Sequence, residues 1–472
     1  MDNRKTQTSQ NRRLRSSQNP TRGVDAQDQT RSRAGAHNQS RRSAGRQGQN
    51  ARRPGAQERP VRGAARRRRA RQQAALRLVI LCLLLLAVVV LLVTCVRHHK
   101  SAKAAKLKAQ QAAEQKAKEE KAFPITLRFA GDINFDDDYF PMQHFQEIGA
   151  ESISDVIDPE FVELMNKADV MWINNEFCYT DSGEPLAGKT FTFSANLENV
   201  KYLKELGVDV AGLANNHVFD YGEQGLLDTL DTLKEAKIPY VGAGHDIKEA
   251  ASPVYVKAGP LTIAYVAAER AEKVQIVTQE ATEDQPGVLR CYENDRFIES
   301  IKEAAKKADY VIALPHWGTE HSTELEDAQT DGARAYIDAG ADAVIGAHPH
   351  ILQGLEYYKG KPIVYSLGNF WFDSYELYTM VVELRLSKDQ SADGDGKANE
   401  DGETSEDGKA GASGEEKSKS KLSAQLIIYP GIQSNAETHP ADESERDEIF
   451  RHLEGISPQE IRIDEQGVVG GP

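Results

Sequence analysis

From residue 125 onward the apolar positions switch between two rhythms. Ile125-Thr126-Leu127-Arg128-Phe129-Ala130 alternates with a period of two, as a strand with one buried face does. Glu160–Ala168 takes the helical period, and Pro159 suits its first turn. The switching continues. Strands are predicted at Val170–Asn174, Val208–Leu213, Tyr310–Leu314, Ala341–Ile345, Ile363–Tyr365 and Met380–Leu386. Helices are predicted at Leu197–Leu206, Glu223–Ala236, Asp295–Ala308 and Glu326–Ala339, with Gly207 capping the first of these. Val254–Val256 and Leu261–Ala267 read as a hairpin around Gly259-Pro260. Such alternation predicts an α/β body with one large core.

The flanks have other textures. Leu78–Val96 is a run of 19 residues without a charge. As a helix it spans roughly 28 Å, the hydrocarbon thickness of a bilayer. A cleaved signal peptide would have a shorter apolar region after a brief basic start, whereas here 77 residues precede the run. The reading is a transmembrane signal anchor, 78–96. Residues 97–122 are rich in Ala, Lys, Gln and Glu, favour helix without an apolar stripe, and read as a solvated stalk. Residues 387–421 are low-complexity Gly, Ser, Asp, Glu and Lys, expected to be a disordered acidic insertion at a hairpin tip. The strand-like Ala424–Tyr429, a helix at Glu443–Leu453 and a strand at Glu460–Asp464 then make 422–472 the last part of the domain begun at 123–386.

Charge sharpens this division. Residues 1–77 hold 21 Arg and Lys against 4 Asp and Glu, a net of +17, so with −14 overall the remainder carries −31. The basic tail cannot bury a core and is expected to be disordered. It has no aromatic residues for base stacking, so attraction to anionic lipid explains it more plainly than nucleic acid does. The excess of Arg before the span puts the N-terminus in the cytoplasm and the C-terminal domain outside the cell membrane, in a single pass. Only Cys178 and Cys291 belong to the outer body, where one disulfide and two free thiols are equally open.

Five predicted strand ends carry residues of metal-ligand type. They are Gly131-Asp132-Ile133-Asn134, Asn174-Asn175-Glu176, Ala214-Asn215-Asn216-His217 with Asp220 and Gly222, Pro315-His316-Trp317-Gly318, and Gly346-Ala347-His348-Pro349-His350. Ligands of open α/β sheets gather beyond strand ends, so the five can converge. In extended backbone alternate side chains share a face, which aims His348 and His350 at one place. Oxygen and imidazole ligands suit manganese, iron or zinc alike. Each motif alone has an ordinary reading as a turn, a helix cap, a surface charge or a half-buried histidine.

Together with Ser366-Leu367-Gly368-Asn369-Phe370, these motifs, in this order across about residues 125–375, resemble the CapA family of bacterial capsule and poly-γ-glutamate synthesis proteins. That family is similar to the calcineurin-like metallophosphatases. The resemblance implies a four-layer αββα sandwich with a site for one or two divalent metal ions. It makes Asp132, Glu176, Asn216, His316, His348 and His350 metal ligands, and His217, with Asp220, the catalytic proton donor. Two departures stand out: Asn134 replaces the usual histidine of the first motif, and Glu176 replaces the bridging aspartate. The implied function is a membrane-anchored hydrolase acting on a phosphoester or polymer intermediate. The alternative is a non-catalytic subunit that binds polymer or scaffolds a synthase and export complex. Implied partners are the cell membrane, an anionic polymer or its precursor, and other synthase subunits.

Overall fold

The computed structural model describes residues 63–120, 122–272, 277–388 and 422–471. The basic tail before residue 63, and all but the first two residues of the low-complexity stretch 387–421, lie outside them. A helix, α1, runs Gly63–Glu120. Within it Arg66–Gln111 is, among the described residues, the one segment long and apolar enough to cross a membrane. Residues 97–472 form a separate compact unit.

The main strands of this unit, in chain order, are β1 (Ile125–Ile133), β2 (Val170–Asn175), β3 (Val210–Gly212), β4 (Tyr240–Val241), β5 (Val254–Ala258), β6 (Leu261–Glu269), β7 (Tyr310–His316), β8 (Ala343–Ile345), β9 (Leu355–Tyr358), β10 (Lys361–Val364), β11 (Asn369–Trp371), β12 (Leu377–Lys388), β13 (Leu422–Ser434) and β14 (Glu437–Pro440). They make two mixed sheets. One has the order β14-β13-β12-β1-β2-β3-β4 with β11 beside β1, the other β9-β10-β8-β7-β6-β5. Strands β1 to β4 are mutually parallel, as are β6, β7, β8 and β10, so the carboxyl ends within each set share an edge. The long hairpin β12–β13 pairs as far as Lys388 opposite Leu422, on either side of the low-complexity stretch.

The period of two explains the layers. Leu127, Phe129, Trp172, Ile263, Tyr265, Ile312 and Leu314 fill the space between the sheets. Their sequence neighbours Ala130, Met171 and Ile173 face a second core, and Ala264, Val266, Val311 and Ala313 a third. The second core is completed by α2 (Phe140–Glu147), α3 (Pro159–Asn166), α4 (Val200–Glu205) and α5 (Gly222–Ala236), through Phe145, Phe161, Leu203 and Leu230. The third is completed by α6 (Asp295–Lys307) and α7 (Asp327–Ala339), through Phe297, Ile301 and Tyr336. The result is the four-layer αββα sandwich. A last helix, α8 (Glu443–Ile456), closes the inter-sheet core with Ile449 and Leu453.

Some boundaries differ from the expected ones. β12 and β13 are longer than the apolar runs that announced them, because each protects the other's edge. The predicted helix at Leu197–Leu206 begins as a 3-10 turn, Leu197–Asn199, before α4. Cys178 and Cys291 are both buried and both free, so no disulfide forms.

One irregularity positions the chemistry. β1 pairs with β12 through Ala130, then with β11 from Asp132. The hand-over falls at Gly131, where Asp132 N donates to Gly368 O at 3.0 Å. A β-carbon at 131 would overlap that Gly368 carbonyl. Gly131→Ala should therefore destabilise the domain by about 1–3 kcal/mol. Thermal unfolding should show a clear drop in Tm for this variant and none for Gly455→Ala, whose added methyl meets nothing within 4 Å.

Candidate metal centre

β1 and β2 bring two carboxylates together. Asp132 and Glu176 are both 0% exposed, so the reading of Glu176 as a mere surface charge is excluded. The Asn174 side-chain amide donates to both, to Asp132 Oδ1 at 2.7 Å and Glu176 Oε2 at 2.9 Å. The remaining oxygens, Asp132 Oδ2 and Glu176 Oε1, accept no hydrogen bond. Each faces an imidazole instead: His350 Nδ1 stands 3.3 Å from Asp132 Oδ2, and His316 Nε2 stands 3.3 Å from Glu176 Oε1.

His316 closes β7, and its Nε2 donates to Asn216 Oδ1 at 2.8 Å. His348 and His350 come after β8, but not as extended backbone. The strand ends at Ile345, and the two histidines have φ of 102° and 60°. The expectation that strand alternation aims them is thus corrected. Two left-handed kinks bring the rings to 5.9 Å between centroids, with His316 4.8 Å from His348. Non-glycine residues in that region are strained and tend to mark functional positions.

Six of the sequence-predicted residues, Asp132, Glu176, Asn216, His316, His348 and His350, therefore meet in one buried cluster. The carboxylate and imidazole donors fall into two overlapping sets, Glu176/His316/His348 and Asp132/Glu176/His350. Within each set the ligand atoms lie within 4.8 Å of one another, and Glu176 belongs to both. Buried carboxylate oxygens without hydrogen-bond donors, ringed by imidazoles, are costly unless a cation neutralises them. The residues present fit one or two divalent ions. Asn134 does not join them, because its Oδ1 is engaged by Asp136 N at 2.8 Å.

The electrostatics of the cluster agree. Burial pushes the Asp132 carboxyl up, but the His350 imidazole close beside it overrides burial and holds the group below its ordinary value. Burial, with the Asp132 charge beside it, drives Glu176 well above the carboxylate range. Burial takes His316 down to about 3 in spite of Asp132. Burial also opposes the charge on His350, yet Asp132 outweighs it and raises that group. Burial and the neighbouring charges thus favour the charged forms of Asp132 and His350 and disfavour those of Glu176 and His316.

His217 and Asp220 stand next to the cluster. His217 Nδ1 is 2.6 Å from Asp220 Oδ2, and the Phe193 ring lies 4.5 Å from the imidazole. Burial lowers the His217 pKa while Asp220 opposes that shift. Asp220 also accepts from Phe193 N at 2.7 Å and from Lys189 Nζ, which bonds the Asn216 carbonyl as well.

Several supporting residues had no role assigned from sequence. Asn215 donates to Asn174 Oδ1 at 3.2 Å and, through its own Oδ1, caps His217 N and Val218 N. Asn369 Oδ1 lies 2.8 Å from His350 Nδ1, and its amide donates to Asp373 at 2.9 Å. Asn174, Asn215 and Asn369 sit inside the family-like motifs, so a signal existed. Lys189 had none, since it lies in an irregular segment.

The geometry defines a class: a four-layer α/β sandwich with a buried carboxylate–histidine centre at its strand ends. Residues 126–374 match the family described as bacterial capsule synthesis protein PGA_cap, and the chain belongs to that family. It is 36% identical over 251 residues to the PGA biosynthesis protein CapA of Bacillus subtilis, covering 53% of this chain and 63% of that protein. It is 41% identical over 191 residues to the capsule biosynthesis protein CapA of Bacillus anthracis, covering 40% and 46%. The chain thus spans roughly half to two thirds of these relatives' lengths. Among solved structures it is similar to a phosphatase of Mycoplasma pneumoniae, at 12% identity and a TM-score of 0.36, covering 70% of this chain and 99% of that one.

The Lys189–Asp220 pair yields a stability test, since the two side chains are 12% and 0% exposed. Lys189→Met leaves a buried carboxylate without its cation and should cost about 3 kcal/mol. Urea denaturation should show a lower midpoint for this variant, with Lys189→Arg closer to wild type.

Proposed function

We propose that this chain is a membrane-anchored, metal-dependent hydrolase of capsule or poly-γ-glutamate synthesis. Its substrate would be a phosphoester or a polymer intermediate, and its working partners the other subunits of the synthesis machinery. One observation carries the proposal: two buried carboxylate oxygens without hydrogen-bond donors face three histidines at converging strand ends. Asp132, Glu176, Asn216, His316, His348 and His350 would hold the metal. Bound there, one or two divalent ions would supply an activated water and positive charge for the developing transition state.

The protein's own groups do the rest. Asp220 fixes the His217 ring through Nδ1, leaving Nε2 as the nitrogen that serves the leaving group. Asn174 holds both carboxylates in register, and Asn369 orients His350. The apolar span is the anchor, with the domain on the outer side, as the flanking charge directs.

The test uses the full chain in detergent, with bound metal and hydrolysis of phosphodiesters and poly-γ-glutamate measured side by side. His348→Ala should lose both metal and activity. His217→Ala should keep its metal and lose about 10²–10⁴ in kcat. Wild type that binds metal yet hydrolyses nothing, while the His348→Ala strain loses surface polymer, would shift the reading to a non-catalytic scaffold.

The raised groups also predict a pH dependence. Glu176 and His350 hold protons above their ordinary range, and metal must expel them. Metal affinity should rise with pH as those raised groups give up their protons, with proton release visible as a buffer-dependent heat in calorimetry. An affinity independent of pH would contradict this.

A further inference from the structure

Glu320 lies between β7 and α7, beyond the His316-Trp317-Gly318 motif, and no role was assigned to it from sequence. It is exposed, but the backbone around it is tied down. Trp317 N donates to Ala347 O at 3.0 Å, and His321 N donates to Pro349 O at 2.9 Å. These two bonds fasten the segment on both sides of Glu320 to the turn that carries His348 and His350. Left-handed kinks at Gly318 (φ 98°) and His321 (φ 56°) shape it. Beneath it, Gln329 Nε2 donates to Gln353 Oε1 at 2.8 Å, and Gln353 Nε2 donates to Ser322 O at 2.8 Å.

The carboxylate so placed has an oxygen within 4.8 Å of ligand nitrogens of both His348 and His350. Among the described residues it makes no hydrogen bond or ion pair. Meanwhile the first motif contributes one ligand rather than two, since Asn134 Oδ1 is taken by Asp136 N. Each buried set holds three carboxylate or imidazole donors, and Asn216 Oδ1 adds a fourth beside His316, whereas Asp132/Glu176/His350 has no such fourth donor among the described residues; an octahedral ion such as manganese has room for one there. His348 and His350 belong to different buried sets, and Glu320 reaches both from the solvent side.

We propose that Glu320 is a further metal ligand, a carboxylate supplied from the solvent rim that completes the shell around His348 and His350. It offsets the ligand lost at position 134. The proposal rests on the reading of the buried cluster as a metal centre, and the test separates the two.

Metal-stripped full-length protein is titrated with Mn²⁺ and with Zn²⁺ by calorimetry, and the bound metal is counted by elemental analysis. Wild type is compared with Glu320→Gln, Glu320→His and Glu324→Gln, the last removing an exposed carboxylate of the same segment. Near-ultraviolet circular dichroism establishes that each variant is folded. Glu320→Gln should lose one class of site or weaken it at least about tenfold. Glu320→His should recover binding, and Glu324→Gln should match wild type. If Glu320→Gln binds both metals with wild-type stoichiometry and affinity, Glu320 is not a ligand and the buried centre still stands. If folded wild type binds neither metal, the centre itself falls, and Glu320 with it.

Discussion

Two carboxylates share one buried seam, and that is the constraint on which the site depends. Asp132 and Glu176 extend from adjacent parallel strands, both shielded from water. Like charges this close in a low-dielectric interior cannot both be ionised without a counter-charge. The protein answers with a single amide between them and an imidazole on each outer side. The amide is Asn174, and its place opposite Asp132 is set by register, since Asp132 and Asn174 are partners in the β1–β2 ladder. That register shifts between Ala130 and Asp132, at Gly131. A glycine that permits close backbone approach thus decides where a charge sits.

The apolar layers make this seam possible. The inter-sheet core is built from large side chains such as Phe129, Trp172 and Tyr265, which fix the separation of the sheets. β1 to β3 and β7 to β8 then end at one edge, and the segments just past these strands are polar. Nothing in the periodic part of a strand is spent on chemistry. The ligands occupy the last paired residues of the strands, as Asp132 and His316 do, or the first residues beyond them, where backbone can kink and side chains can turn inward. His348 and His350 take this furthest, with positive φ at both. The cost of that strain is met by fixed partners, with Asn369 and Asp132 holding His350.

Much of this was legible in the sequence, and for physical reasons. Strand and helix follow burial, and burial follows periodicity, so both sheets and most helices stand where the apolar rhythm put them. The five strand-end motifs carried the ligand types, and Asp132, Glu176, Asn216, His316, His348 and His350 do converge. The hidden part depends on contacts across the chain. Lys189 reaches Asp220 from an irregular segment, so no local pattern announces it. Glu320 belongs to the rim only because the backbone beside it bonds to residues 347 and 349. The strand argument for His348 and His350 found the right pair by the wrong geometry, since positive φ at a non-glycine residue leaves no trace in composition.

The charge of the body constrains how a substrate could be handled. The chain beyond residue 77 carries −31, which repels a polyanion at distance. Salt limits that repulsion to about 8 Å at physiological ionic strength, so an anionic group close to the surface is governed by local charge alone. Locally, burial opposes charge on Glu176 and on His316 alike. Burial thus disfavours the positive charge at His316 that would help to hold a phosphate or carboxylate. Metal uptake would change that, because each ion adds two charges while the site gives up protons. Under the proposed function the metal would serve recognition of an anionic group as well as catalysis. Under that same proposal the acidic body around it would favour release of an anionic product and disfavour its accumulation on the surface.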